Sequence, residues 1–191
     1  MSSSVWGCKT GKCDPVCLRA RLYSELDNFH RIEMSTSTIV DNEGEHLTVG
    51  EIVEIKAQVI KLVNKYYSTK DNALIPKEIM NIPYTFMGTP TTPPFVATDP
   101  EKVVEQYNRY NKSVLEAEPD KHEAIYTPNN VCVLSKTSAI ISGNNTHLRA
   151  DGSAISVHGV VYFMSKFKDK GWRIVAFAPT ATDTVIRKTS E

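Results

Sequence analysis

The sequence lacks a charge excess of either sign. Its 191 residues include 22 Lys+Arg and 22 Asp+Glu, so the formal net charge is zero. Proteins that hold nucleic acid or an anionic membrane through phosphate groups usually carry a basic surface. A balanced chain without a basic run therefore predicts neither a nucleic-acid partner nor a membrane partner.

Long apolar runs are also missing. No segment approaches the roughly 18–20 uninterrupted apolar residues that cross a bilayer. The residues after Met1 do not contain the apolar stretch of a secretory signal. We therefore expect a cytoplasmic protein.

Cysteine is scarce, and its spacing does not suit a metal. Three of the four cysteines, Cys8, Cys13 and Cys17, lie within ten residues. Structural zinc needs four ligands, and His30 would complete this set only through a long loop. We interpret these thiols as part of a flexible leader, and Cys132 as a small core residue. No phosphate loop, nucleophile elbow or histidine cluster is apparent in the sequence, so no metal and no cofactor are predicted.

What remains is ordinary globular composition, with 41% hydrophobic and 23% charged residues, and enough length for one domain. We place that domain at residues 47–186. It lies between a flexible leader, 1–46, and a short tail, 187–191. Within the leader, the apolar spacing of Arg19–Ile32 is compatible with one short amphipathic helix.

Two helices and several strands are predicted inside the domain. Thr48 and Glu51 have capping-box spacing, and apolar residues then recur at helical spacing to Ser68. Prolines break the segment 71–98, in which 84–87 is a candidate short strand, and a second helix runs from Thr98 to about Ala117.

After His122 the pattern becomes extended. We predict one long strand that joins Val131–Leu134 to Thr137–Ile141, and we assign Gly143–Thr146 and Asp151–Gly152 to turns. Two further long strands follow, Ala154–Phe167 and Trp172–Ala178, separated by a turn at 168–171.

The stretches Arg149–Gly152, Tyr162–Lys166 and Gly171–Ile174 resemble the nuclear-transport-factor-2-like superfamily. This superfamily includes SnoaL-like polyketide cyclases and limonene-epoxide-hydrolase-like and ketosteroid-isomerase-like proteins. The resemblance covers roughly Gly50–Ile186 and implies an α+β cone, in which a curved antiparallel sheet wraps N-terminal helices around an apolar pocket. It also implies a homodimer through the convex face. Such a fold does not determine the chemistry.

Alternation along Ala154–Phe167 separates two faces. One is wholly apolar, and we expect it to pack on helices or on another subunit. We expect the other to face the cavity and to carry His158 as the candidate general acid or base, with Tyr162 as a hydrogen-bond donor. The reverse assignment of the faces is the alternative, because both are substantially apolar. A hydrogen-bonded or partly exposed strand histidine is the alternative for His158, and a structural tyrosine is the alternative for Tyr162. The apolar set is Ile155, Val157, Gly159, Val161 and Phe163, and the mixed set is Ser156, His158, Val160, Tyr162 and Met164.

The remaining pocket candidates are mostly aromatic. Tyr66 and Tyr67 end the first helix, Tyr84 and Phe86 would form a lid, and Arg149 would anchor an anion or a carbonyl. Core packing is the alternative for each aromatic, and a solvated strand end is the alternative for Arg149. The complete set of predicted substrate-binding residues is Tyr66, Tyr67, Tyr84, Phe86, Arg149, Ser156, Met164 and Trp172.

The last strand offers no proton-transfer group. Alternation from Trp172 points Ile174, Ala176 and Ala178 inward, which moves any active site to the neighbouring strand. Two hypotheses follow. The first is a small cofactor-independent enzyme, an isomerase, cyclase or dehydratase, that acts on an apolar oxygenated metabolite. The second is a non-catalytic domain for ligand binding or homodimerisation.

Overall fold

The computed structural model describes residues 46–88 and 93–186. The predicted helix Arg19–Ile32, the thiols Cys8, Cys13 and Cys17, and the tail 187–191 lie outside the described residues. All described residues belong to one unit, Thr38–Glu191.

Both long helices begin within two residues of the predicted positions. Helix α1 is Val49–Ser68, and its capping box is formed: the Thr48 hydroxyl accepts from the Glu51 amide, and the Glu51 carboxylate accepts from the Thr48 amide at 2.8 Å. Helix α2 is Pro100–Ala117. The Asp99 side chain caps it by accepting from the Lys102 amide at 2.8 Å.

Short elements connect the helices. A 3₁₀ turn, Asn72–Leu74, and a π-helical turn, Ile75–Ile79, follow α1. Strand β1 is Met80–Phe86 and strand β2 is Phe95–Ala97.

Four long strands complete the sheet. They are β3 (Glu123–Val133), β4 (Ser138–Leu148), β5 (Ala154–Phe167) and β6 (Gly171–Thr180). The order across the sheet is β2-β1-β6-β5-β4-β3, and every neighbouring pair is antiparallel except β1 with β6. The sheet is curved and unclosed, which confirms the predicted α+β cone.

The predicted first long strand was wrong, because it is two strands. A tight turn between β3 and β4 is closed by hydrogen bonds from the amides of Leu134 and Ser135 to Ser138 O, at 2.9 and 3.1 Å. The apolar pattern continues on both sides of a turn that contains neither glycine nor proline. The one turn-type residue is Ser135, whose hydroxyl accepts from the Thr137 amide at 3.1 Å, and serine is a weaker turn signal than glycine or proline.

The predicted turn at Gly143–Thr146 was also wrong, because these residues lie inside β4. A Cβ at Gly143 would lie 2.5 Å from both Cζ and the hydroxyl oxygen of Tyr126 and 2.4 Å from Thr127 O, so glycine provides space for the tyrosine side chain. Asn144 exchanges two hydrogen bonds with Asp183, at 2.8 and 3.1 Å. These turn-type residues serve packing and side-chain hydrogen bonds.

A bulge in β6 changes which residues face inward. Met164 pairs with Ile174 and Phe163 pairs with Ala176, which leaves Val175 as an extra residue. Beyond the bulge Phe177 pairs with Tyr162 and packs against the core. The prediction that Ala176 and Ala178 face inward was therefore wrong, since one extra residue exchanges the two faces.

The core lies between the helices and the concave face of the sheet. The mixed set of β5 faces it, with Val160, Tyr162 and Met164 buried there. On the opposite face residues 181–186 cross the sheet, where Asn129 and Asn130 donate to backbone oxygens of Thr184 and Ile186. Within the described part of the chain, no helix is long and apolar enough to cross a membrane.

Candidate functional site

Four polar side chains meet on the concave face, and we call them the histidine cluster: Glu118, His147, Ser156 and His158. The register of β4 and β5 places His147 opposite Ser156, and Asn145 opposite His158. These two pairs therefore lie on the same face of the sheet. Glu118 follows the last residue of α2, and its amide bonds to Val114 O at 2.8 Å. The end of a helix thus meets two neighbouring strands.

His147 is the buried centre of the cluster. Its Nδ1 atom lies 2.5 Å from Glu118 Oε2, and its Nε2 atom lies 3.1 Å from Asn145 Nδ2. Because the amide nitrogen of Asn145 donates, Nε2 accepts and the ring proton is on Nδ1. His147 therefore donates to the Glu118 carboxylate.

Burial and charge set the ionisation of this pair. Burial lowers the pKa of His147, and nearby Lys121 lowers it further, against the opposing effect of Glu118. Burial alone would raise the pKa of Glu118, but hydrogen bonds from Ser156 and His147 outweigh it and lower the pKa. A neutral imidazole thus lies beside an ionised carboxylate at neutral pH.

His158 is the member of the cluster that a solute can reach. Its side chain is 54% exposed, whereas that of His147 is 3% exposed. The His158 Nε2 atom lies 2.8 Å from Ser156 Oγ and 3.8 Å from Glu118 Oε1. An accessible imidazole is thus held in place by a hydroxyl and faces a negative charge.

Deeper on the same face lies a tyrosine cluster, which we define as Tyr66, Tyr67, Tyr126 and Tyr162. The hydroxyls of Tyr67 and Tyr162 are 2.8 Å apart, and the rings stack or meet edge to face with centroids 5.2–5.9 Å apart. Burial raises the pKa of Tyr67 and of Tyr162, so both phenols stay protonated. The buried Tyr126 hydroxyl has no hydrogen-bond partner among the described residues.

The structure divides the predicted pocket residues among several places. His158 and Ser156 belong to the histidine cluster. Tyr66, Tyr67 and Tyr162 belong to the tyrosine cluster. Tyr162 is four residues along β5 from His158, which is about 13 Å of strand. Arg149 is exposed in the β4–β5 hairpin and donates to Ala154 O at 3.0 Å.

The other predicted residues pack in the interior, away from His158. Tyr84 is buried in the core, and Phe86 packs between Phe95 and Phe177. Met164 and Trp172 lie toward the opposite end of the sheet, where the Trp172 indole donates to Gln58 Oε1 at 2.9 Å.

Sequence reasoning missed Glu118, His147 and Asn145. His147 followed a predicted turn, although a strand through this point would have placed Asn145 and His147 on one face. Glu118 left no local signal, because its role depends on where α2 ends against the sheet.

The curved sheet and the helices on its concave face define a protein of the nuclear-transport-factor-2-like class. Residues 61–182 match the family model described as NTF2-like protein (DUF6841), and the chain belongs to this family. No curated protein matches the chain.

Similar solved structures include a ketosteroid isomerase-like protein from Erwinia carotovora atroseptica. It is 18% identical with a TM-score of 0.48, and the alignment covers 69% of this chain and 96% of that chain. An NTF2-like superfamily protein from Salmonella enterica serovar Typhimurium is also 18% identical, with a TM-score of 0.47 and coverage of 73% and 96%. An NTF-2 like protein of unknown function from Shewanella oneidensis is 15% identical, with a TM-score of 0.45 and coverage of 67% and 98%.

Proposed function

We propose that the protein is a small enzyme of the isomerase, cyclase or dehydratase type, in which His158 transfers protons on an apolar oxygenated metabolite. The observation that carries the proposal is the position of His158. Its ring is half exposed, while Ser156 Oγ is 2.8 Å and Glu118 Oε1 is 3.8 Å from Nε2. An accessible imidazole with a fixed orientation and a nearby carboxylate suits general acid–base catalysis.

Each neighbour has a distinct role in this proposal. Ser156 orients the ring, so that Nδ1 of His158 is the nitrogen that meets the substrate. When His158 accepts a proton, the negative charge on Glu118 stabilises the imidazolium. His147 and Asn145 orient Glu118 without touching the substrate, and both are positioning residues.

The groups present support two related reaction types. In an isomerisation, His158 removes a proton from carbon beside a carbonyl and returns it at another atom. In a dehydration, the removed proton leaves with the hydroxyl as water. Both schemes use one acid–base group and consume no electron carrier.

The tyrosine cluster supplies the apolar wall in this proposal. Its phenols are neutral, so they can donate hydrogen bonds but carry no charge. The buried Tyr126 hydroxyl, without a partner among the described residues, is a donor that a substrate oxygen would satisfy. Tyr66, Tyr67 and Tyr162 are proposed as walls, and Arg149 as a polar group at the rim.

Hydrogen–deuterium exchange at carbon tests the proposal without knowledge of the natural substrate. Apolar ketones and enones are incubated in D₂O with the full chain, and deuterium incorporation beside the carbonyl is followed by NMR. We expect exchange of at least one compound to be accelerated, and His158→Gln to reduce that rate by about 10²–10⁴-fold. Compounds that bind without accelerated exchange would instead indicate a non-catalytic ligand-binding domain.

A further inference from the structure

We propose that Glu118, His147 and His158 also bind a divalent transition-metal ion of the zinc class. One potential donor atom from each residue is available, and these three atoms lie within 4.8 Å of one another. Two imidazole nitrogens and one carboxylate oxygen form a set that zinc and its neighbours favour. The inference does not depend on the proposed proton transfer.

A single ion would require small shifts of the donor atoms. At bond lengths of roughly 2.0–2.2 Å, donor atoms around tetrahedral zinc are about 3.4 Å apart. The separation from Glu118 Oε2 to His147 Nδ1 is shorter, at 2.5 Å, and the separation from Glu118 Oε1 to His158 Nε2 is longer, at 3.8 Å. An ion therefore requires the Glu118 carboxylate and the His147 ring to separate by about 1 Å, and the half-exposed side chain of His158 to move closer.

Ser156 and solvent complete the surroundings of the ion. Ser156 Oγ lies 2.8 Å from His158 Nε2 and 3.4 Å from His147 Nδ1. Because His158 is half exposed, water can reach the ion from that side. The three protein donors thus leave a further coordination position for the hydroxyl or for water.

Asn145 provides a second, independent argument. If His147 binds an ion through Nδ1, its ring proton moves to Nε2, which then needs an acceptor. The Asn145 amide already lies 3.1 Å from Nε2, and its buried Oδ1 has no partner in the described part of the chain. A half-turn of this amide places Oδ1 against the Nε2 proton, so Asn145 can support either tautomer.

The donor set also selects the class of ion. Mg²⁺ and Ca²⁺ prefer oxygen ligands, whereas imidazole suits Zn²⁺, Co²⁺, Ni²⁺ and Cu²⁺. An ion on His158 Nε2 would prevent formation of the imidazolium, because the ring can no longer carry a proton on both nitrogens. The metal-bound and the proton-transferring forms are therefore alternative states of one site.

The test is a Co²⁺ titration of the full chain after removal of metal with a chelator. Cys8, Cys13 and Cys17 are replaced by Ser in every sample, because thiolates bind the same ions. We expect one equivalent of Co²⁺ to give visible absorption of a low-coordinate site, and Zn²⁺ to displace it.

Variants assign the ligands. His158→Ala and Glu118→Gln should each raise the Kd for Zn²⁺ by about 10–100-fold or more, and Asn145→Ala by about tenfold. His46→Ala is the matched control, since His46 is exposed and outside the cluster, and its Kd should not change. Circular dichroism confirms that each variant is folded.

Two results would overturn the metal site. One is the lack of saturable Co²⁺ binding by the chain that carries the three Cys→Ser replacements, and the other is unchanged affinity in both His158→Ala and Glu118→Gln. Deuterium exchange is measured separately on the metal-free protein, so loss of either activity leaves the other proposal standing.

Discussion

The Nδ1 atom of His147 lies 2.5 Å from the Oε2 atom of Glu118, and this contact joins the end of strand β4 to the end of helix α2. The residues are 29 positions apart in sequence. The Glu118 carboxylate is turned toward the concave face, where it also lies 3.8 Å from His158. The contact therefore positions the charge on which the proposed chemistry depends.

Loss of this contact should weaken the fold. His147→Leu replaces the imidazole with an apolar side chain of similar size, and it leaves Glu118 and Asn145 without their histidine partner. We expect the free energy of unfolding to fall by about 1–3 kcal/mol, as for a buried polar group left unpaired. Urea denaturation measures this change. Exposed His122→Ala is the control, and an equal effect in both variants would contradict the role of His147.

The hydroxyl pair in the tyrosine cluster should contribute to stability. Tyr162→Phe removes one of two phenol oxygens that lie 2.8 Å apart and leaves the ring stack in place. The free energy of unfolding should fall by about 0.5–1.5 kcal/mol, the usual contribution of one hydrogen bond. Denaturant unfolding of Tyr162→Phe, Tyr67→Phe and the double variant measures the coupling. Strictly additive effects would contradict a direct hydrogen bond between them.

Gly143 should tolerate no larger residue. A Cβ there would approach Cζ and the hydroxyl oxygen of Tyr126 to 2.5 Å and Thr127 O to 2.4 Å. Gly143→Ala should destabilise the protein by about 1–3 kcal/mol, as overpacking does in tight cores. Gly50→Ala is the matched control, for which we expect the stability to change in the opposite direction. A Cβ at Gly50 meets Thr48 Oγ1 at 4.0 Å, and alanine favours the helix, so stability should rise by about 0.5 kcal/mol. Thermal unfolding of both variants measures these changes in stability, and changes of the same sign would contradict the packing argument.

The capping box of α1 should make stability depend on pH. Hydrogen bonds from the Thr48 backbone and hydroxyl lower the pKa of Glu51. A depressed pKa means that the stabilisation is present above the unfolded pKa and is lost as pH falls through the folded pKa. Wild type should therefore exceed Glu51→Gln in stability near neutral pH, and the difference should shrink as the solution becomes acidic. A difference that stayed constant from neutral to acidic pH would contradict this.

Local signals predicted the parts of the fold that depend on nearby residues. The cap at Thr48, the start of α2 at Asp99 and Pro100, and the strand Ala154–Phe167 all follow from spacing within one element. The family resemblance predicted how these elements assemble, and the NTF2-like match over 61–182 confirms it.

Errors arose where a residue type serves a distant contact. Gly143 in β4 leaves space for Tyr126 of the neighbouring strand β3. Because glycine is also common in turns, the sequence pattern predicted a turn there. The extra residue Val175 has no sequence signature, yet it turns Phe177 rather than Ala176 toward the core. Strand alternation alone could not show either effect.

The site was predicted in part for the same reason. His158 and Ser156 were found because alternation within one strand relates them. Glu118 and His147 come from a helix end and a neighbouring strand, and only the register between elements brings them to His158. The pairing of His158 with Tyr162 as catalytic partners stays a prediction, and our proposal assigns the partner role to Glu118.

The most direct test of the central claim compares deuterium exchange by His158→Gln and by Tyr162→Phe. Both variants are measured with the compound that the wild-type protein exchanges fastest. If His158 transfers the proton and Tyr162 is a wall, His158→Gln should lose about 10²–10⁴-fold in rate, and Tyr162→Phe should keep most of it. Full activity in a folded His158→Gln protein would contradict the account.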